Sequence, residues 1–166
     1  MAKPHPLDGV TVRRVQAALA AAGSTAQVVV LAATARTAAD AAAALGTALG
    51  AIVKSLVFEI GGQGVLALVA GDRRCREAAL AAALGLPGAA RRADADWVRR
   101  VTGFAIGGVA PVGLAARLPT VIDASLCRFP TVFAAAGHPH CVFATTAAEL
   151  QRLTGGIVSA AIAEGP

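Results

Sequence analysis

Val53-Lys54-Ser55-Leu56-Val57-Phe58-Glu59-Ile60, then Gly61-Gly62-Gln63-Gly64, then Val65-Leu66-Ala67-Leu68-Val69-Ala70 is the stretch on which the fold turns. Two aliphatic, β-branched runs on either side of a glycine cluster read as a hairpin. Working outward from it, Thr11–Ala22 reads as a helix, because Val12, Val15, Leu19 and Ala22 recur at helical spacing and Gly23 stops it. Ala26–Leu31 reads as a strand, and Thr37 is placed to cap a helix over Ala38–Leu45 that Gly46 terminates. On the other side, Arg76–Leu84 predicts a helix ending at Gly85, and Asp94 caps a short helix through Val101. Phe104–Gly113 is glycine-rich, and Thr120–Ile122, Thr131–Ala135 and Cys141–Ala144 read as short strands. Thr146 caps a last helix, Ala147–Leu153, closed by Gly155-Gly156 before a strand or turn over Ile157–Ala161. Helices scattered irregularly among strands indicate α+β with a mixed sheet, not a doubly wound series.

The 166 residues suit a single compact domain with one core and one real pocket. Apolar residues make up 56% of the chain and charged ones 15%, which excludes a disordered chain. Alanine supplies about a quarter of the chain and only six residues are aromatic, so Val, Leu, Ile and five Phe must build the core. Val15–Ala35 and Phe129–Ala148 carry no Asp, Glu, Lys or Arg, but Gly23-Ser24-Thr25 breaks the first. Pro130, Gly137, His138, Pro139 and His140 break the second, so neither reads as a bilayer span. The opening residues show no apolar signal core, and a cytoplasmic location is expected. Cys75, Cys127 and Cys141 form no CxxC and are expected as reduced, buried thiols. A net charge of +5, carried by 13 Arg and two Lys, leans toward a nucleic-acid partner.

Lys54 is the only lysine in the body of the chain and shares a strand face with Ile52, Leu56, Phe58 and Ile60. Either an anion meets its ammonium, from a carboxylate or a ligand phosphate, or the side chain snorkels to solvent near a strand edge. Thr102–Gly113 holds Gly103, Gly107, Gly108, Gly113 and Pro111, a composition suited to a main-chain anion cradle or to a tight structural turn. It is neither a Walker loop nor a dinucleotide fingerprint. Ala136-Gly137-His138-Pro139-His140-Cys141 lacks a partner cluster for a metal, so no metal or other cofactor is expected. His138 reads as a substrate contact or as a ring satisfying a loop carbonyl. Asp123 reads as a ligand contact or as the cap of the turn at Ala124-Ser125. Ser125, His138 and Asp123 form a triad only on paper, without the strand–turn–helix elbow that would support one. The pairs Arg13-Arg14, Arg73-Arg74, Arg91-Arg92 and Arg99-Arg100 read as solvated faces, or as a phosphate-tracking patch if folding collects them.

Ile52-Val53-Lys54-Ser55-Leu56-Val57-Phe58, Thr102-Gly103-Phe104 through Pro111, Thr120–Asp123 and Ala135–Pro139 occur in that order, followed by Thr146–Leu150. In this the chain resembles the free-standing aminoacyl-tRNA deacylases of the YbaK and prolyl-tRNA-synthetase-associated editing-domain family. The resemblance covers roughly residues 10–162, leaving 1–9 as a flexible N-terminus. It implies a compact α+β domain around a mixed, curved sheet with flanking helices. It also implies hydrolysis of the ester of mischarged tRNA, chiefly alanine or cysteine on proline tRNA. Lys54 then matches the lysine that contacts the terminal nucleotide, whose phosphate would supply its anion. Gly107–Pro111 matches the Gly-x-x-x-Pro loop that holds the aminoacyl group. By resemblance Lys54, Gly107 and Gly108 are the catalytic candidates. Val109, Ala110, Pro111, Asp123, Gly137, His138 and Pro139 are the substrate-binding ones. The implied partners are the tRNA acceptor end and prolyl-tRNA synthetase, with neither a membrane nor DNA. An activated ester needs positioned water and main-chain oxyanion donors rather than a strong nucleophile. Leu114 stands where many relatives carry a polar residue. Ala-Gly-His-Pro also differs from the basic segment of the cysteine-specific branch, which favours a small, non-thiol side chain. The alternative is a non-catalytic tRNA- or nucleotide-binding module on the same fold.

Overall fold

A computed structural model describes residues 2–32, 35 and 37–166. Met1, Ala33, Thr34 and Arg36 lie outside the described residues, the middle two belonging to the charge-poor stretch Val15–Ala35. In chain order the elements are α1 (Val10–Ala21), β1 (Val28–Val30), α2 (Ala38–Leu45), β2 (Val53–Ile60), β3 (Gln63–Ala70) and β4 (Arg74–Cys75). There follow α3 (Leu80–Leu84), β5 (Arg91–Arg92), α4 (Ala95–Thr102), β6 (Thr120–Asp123), β7 (Val132–Ala135) and β8 (Cys141–Thr145). The chain ends with α5 (Ala147–Thr154), β9 (Ile157–Ser159) and β10 (Ala163–Glu164).

The hairpin is tighter than its glycine cluster suggests. Ile60 pairs with Gln63, so the loop is Gly61-Gly62 alone, with φ of +58° and +83°. Two positive φ values in a two-residue loop match the right-handed twist of the strands it joins, and glycine adopts them without strain. β3 sits centrally in a five-stranded mixed sheet of order β5-β2-β3-β6-β9. It is antiparallel to β2 and parallel to β6, which is in turn parallel to β9. A second, antiparallel sheet has the order β1-β8-β7, and an isolated parallel bridge between Ile52 and Phe133 joins it to the first.

Both faces of β3 are buried, which explains its nearly continuous apolar run. Leu66, Leu68 and Ala70 share one cluster with Val12, Val15 and Leu19 of α1, Val98 of α4 and Phe143 of β8. Val65, Ala67 and Val69 pack on the other face with Phe58, Ile60, Leu80 and Ile162. The helix caps form as expected. Thr37, Asp94 and Thr146 each accept the backbone N–H three residues on, and Gly46, Gly103 and Gly155 end their helices in the left-handed conformation.

Some expectations need correction. The helix read over Arg76–Leu84 is a 3-10 turn, Glu77–Ala79, followed by the short α3. β4 pairs with β10 and the Arg76 N–H donates to Ile162 O at 2.7 Å, so the chain is held extended where the helix was expected to start. That pairing places Ala163 and Glu164 in a strand. Ahead of α1, Pro6–Asp8 forms a 3-10 turn whose Leu7 packs on the core. Of the three thiols only Cys141 is buried, while Cys75 is half-buried and Cys127 exposed. Among the described residues no helix is long and apolar enough to cross a membrane.

Candidate active site

Among the described residues, β2 is paired along its whole length with β3, but on its other side only at its two ends. There Phe58 and Glu59 meet β5, and Ile52 meets Phe133. The Gly71 N–H donates to Ile52 O at 2.7 Å, which sets the antiparallel alternation. Val53, Ser55 and Val57 therefore turn their main-chain groups away from β3, toward the open edge. A cleft of about 300 Å³ opens along that edge. Its walls are Ile106, Gly107 and Val109 of the glycine-rich loop, Phe133 and Ala135 of β7, Val142 of β8, Pro139, and the first turns of α2.

Lys54, Gly107, Val109 and Pro139, drawn from three separate stretches of the chain, thus meet in one cavity. Gly108 lies behind the wall. A Cβ there would come within 3.1–3.2 Å of the Gly137 and His138 backbone, so the two loops touch through the missing side chain. Ala110 is fully buried in the core, and Pro111 lines a different cavity between α1 and α5. The Gly-x-x-x-Pro segment therefore reaches the cleft only through its first half.

Lys54 meets a main-chain carbonyl rather than a protein carboxylate. Its half-buried ammonium donates to the Arg73 carbonyl oxygen. Burial pulls its pKa below the usual 10.5, against the raising effect of Cys75, Asp72 and Asp123 nearby. The turn carrying Arg73 is itself braced, with Arg128 donating two hydrogen bonds to Asp72, at 3.0 and 2.7 Å. Burial likewise pushes the Cys75 thiol up to about 11, so it is an un-ionised neighbour of the lysine at neutral pH.

Asp123 takes the capping role. Only 2% exposed, it accepts hydrogen bonds from Ala70 N–H at 3.0 Å, Ser125 N–H at 2.8 Å and Ser125 Oγ at 2.7 Å. It is absent from the cleft lining. His138 sits in a turn. Its Nδ1 accepts the His140 N–H at 3.1 Å and its carbonyl accepts the Cys141 N–H at 3.0 Å. With Ser125 bonded to Asp123 and His138 to His140, no Ser–His–Asp relay is assembled. Burial first, and the adjacent His140 second, hold the His138 pKa below 6.5.

The two glycines nominated as oxyanion donors differ. The Gly108 N–H donates to Ala105 O at 3.0 Å, closing a turn. Gly107, at φ +91° and exposed, has no atom of the described residues within 4 Å of where its Cβ would stand. The arginine pairs do not behave as pairs. Arg91 and Arg92 bind Glu59 and Glu77 at 3.1 and 2.9 Å, and Arg14 turns inward while Arg13 stays exposed.

Sequence reasoning missed Ser55, whose Oγ is buried without a partner among the described residues. It also missed the α2 and β7 walls. Their signal was periodicity: Phe133 and Ala135 alternate on β7, and Ala38 and Ala41 lie three apart on α2.

A family model of the aminoacyl-tRNA editing domain matches residues 32–153. The chain is 36% identical over 116 residues to the uncharacterised YwhH of Bacillus subtilis (strain 168), covering 69% of this chain and 73% of that protein. It is 41% identical over 87 residues to a proline–tRNA ligase of Geobacter sp. (strain M21), which is 52% of this chain but 15% of the ligase. Among solved structures, one provisionally assigned as a trans-editing enzyme for prolyl tRNA synthetase superposes with a TM-score of 0.88 at 43% identity. It covers 95% of this chain and 99% of that one.

Proposed function

The chain belongs to the aminoacyl-tRNA editing domain family, and from that premise we propose that it is a trans-acting deacylase. It cleaves the ester joining a small amino acid, alanine or cysteine, to the 3′ end of proline tRNA. The observation that carries this reading is the single cleft in which Lys54, Gly107, Val109 and Pro139 meet along the open edge of β2.

Water attacks the ester carbonyl carbon, the bond to the ribose oxygen breaks, and that oxygen leaves with a proton. An aminoacyl ester is already activated, so the protein needs to position it and to stabilise the oxyanion. In this reading the Gly107 N–H faces the developing oxyanion, and the ribose hydroxyl next to the ester takes the proton from water while passing its own to the departing ribose oxygen. Gly108 fixes the loop from behind instead of donating. Lys54 leaves the Arg73 carbonyl for a phosphate of the tRNA end, an exchange that burial of the ammonium favours because a full anion compensates it better than a neutral carbonyl. The aminoacyl side chain rests against Ile52, Ala38, Ala41, Phe133 and Ala135, an apolar surface that suits alanine. One methylene in such a pocket is worth about 1–3 kcal/mol, enough to grade small amino acids but not to reject them absolutely. Likeness to a proline–tRNA ligase over 87 residues supports proline tRNA as substrate and the ligase as partner.

The test is deacylation of Ala-, Cys- and Ser-tRNA, each carried on proline tRNA, with Lys54→Ala as control. Faster loss of one ester with the wild type than with the variant is expected. Binding of tRNA without turnover of any ester would replace the hydrolase with a binding module.

A further inference from the structure

We propose that Thr11 and Arg14, three residues apart on α1, are positioning residues that clamp both glycine loops into the wall of the cleft. This role rests on the editing reading above. Residues three apart on a helix share a face, and α1 is fixed by Val12, Val15 and Leu19, all at most 2% exposed. Neither Thr11 nor Arg14 lines the cleft.

Arg14 joins the two ends of the glycine-rich segment. Its Nη2 donates to Gly113 O at 2.7 Å, and its Cζ lies 5.3 Å from the centre of the buried Phe104 ring. At the other end it presses on Gly103, where a Cβ would stand 2.4 Å from Nη1. A planar guanidinium can hydrogen-bond and stack at once, which an ammonium cannot. With both ends tied to one side chain, the span that carries Ile106, Gly107 and Val109 has little freedom to drift.

Thr11 holds the second loop. Its Oγ1 donates to Gly137 O at 2.7 Å, and a Cβ on Gly137 would come within 2.8 Å of the Thr11 backbone. Because Gly108 seats directly on Gly137 and His138, each loop is the other's backing. One helix face therefore sets the distance from β2 to the opposite wall. Arg14 is half of an arginine pair that sequence alone presents as surface charge.

The experiment compares Arg14→Gln, Thr11→Val and Thr11→Ser with the wild type, and Arg13→Ala as an exposed control. Deacylation kinetics, Tm and amide hydrogen exchange are measured on each. Arg14→Gln and Thr11→Val should lower kcat about 10- to 100-fold, since misplacement by an ångström costs about that much, with KM within about twofold. Exchange should quicken over residues 105–109 and 137–141 while β3 stays protected. Thr11→Ser should restore both readouts, and Arg13→Ala should leave both unchanged. Unaltered loop exchange in both variants overturns the clamp. So does a kcat loss that merely follows the fraction unfolded, or one that Thr11→Ser does not rescue. A wild type inactive on every ester defeats the deacylase reading instead, and the exchange data still decide whether the two residues hold the wall.

Discussion

Gly108→Ala isolates the contact between the two loops. Its new Cβ would stand 3.1 Å from His138 N and 3.2 Å from both Gly137 C and His138 Cα, all of them backbone atoms. Ordinary contact begins at 3.4 Å, so the loops must separate by about 0.3 Å, and no flexible side chain is there to give way. Overpacking of this kind costs about 1–3 kcal/mol. In a domain of this size each kcal/mol lowers Tm by about 2–4 °C. If displacing the wall by an ångström costs about 100-fold, 0.3 Å costs about fourfold in kcat. Gly85→Ala is the matched control. Gly85 ends α3 at φ +66° with no atom of the described residues within 4 Å of an added Cβ, so alanine there strains the backbone by about 1–2 kcal/mol without touching the cleft. Deacylation of alanyl-tRNA and thermal unfolding are measured on both variants. Gly108→Ala should lose Tm and kcat together, whereas Gly85→Ala should lose Tm alone. Wild-type kcat and Tm in Gly108→Ala would refute the seating of one loop on the other. Equal kcat losses in both variants would reduce the effect to general destabilisation.

Three further outcomes are expected. Asp123→Ala leaves the Ala70 and Ser125 N–H groups without their acceptor, costing about 3 kcal/mol and so about 6–12 °C in Tm; an unchanged Tm with lost activity would return Asp123 to substrate binding. His138 is held below 6.5 in the fold, so the unfolded chain takes its proton first. The stability it contributes is complete above that value and is lost as pH falls through it toward the lower folded value; chemical denaturation from pH 7.5 to 5 should show a decline that His138→Gln flattens. Arg128→Ala unbraces the turn that carries Arg73 and should slow deacylation while changing Tm little, because the Arg128–Asp72 pair is partly solvent-exposed; a Tm loss as large as that of Asp123→Ala would contradict this.

The hairpin, the helix caps and the mixed sheet were legible because each is written locally, in alternation, in a cap side chain, or in glycine after an apolar run. The candidate site was half legible. Lys54 and Gly107 announce themselves by residue type, and they do meet. What could not be read is what meets across the chain. Arg14 reaches Gly113 across 99 positions, and Thr11 reaches Gly137 across 126. An arginine beside another arginine carries no mark saying which one turns inward. Lys54 shows the same limit from the other side. Its face was correct, but its partner is a main-chain carbonyl, and every residue has one. Asp123 and His138 could be read either way, because a carboxylate or imidazole that holds a turn has the same sequence appearance as one that holds a ligand.

The open edge of β2 has a consequence for solubility as well as for chemistry. Around Ser55, between its two paired ends, the strand presents outward-turned N–H and C=O groups that a strand from another molecule could pair with, the usual route to edge-to-edge association. Two features stand against it: the flanking β5 is only two residues long and both are arginine, and Lys54 places a charge within the apolar row. The residue nominated to receive the substrate therefore also serves as a guard within the apolar row. Replacing Lys54 with leucine would remove the guard together with the contact, and the variant should associate as concentration rises even where its fold is intact.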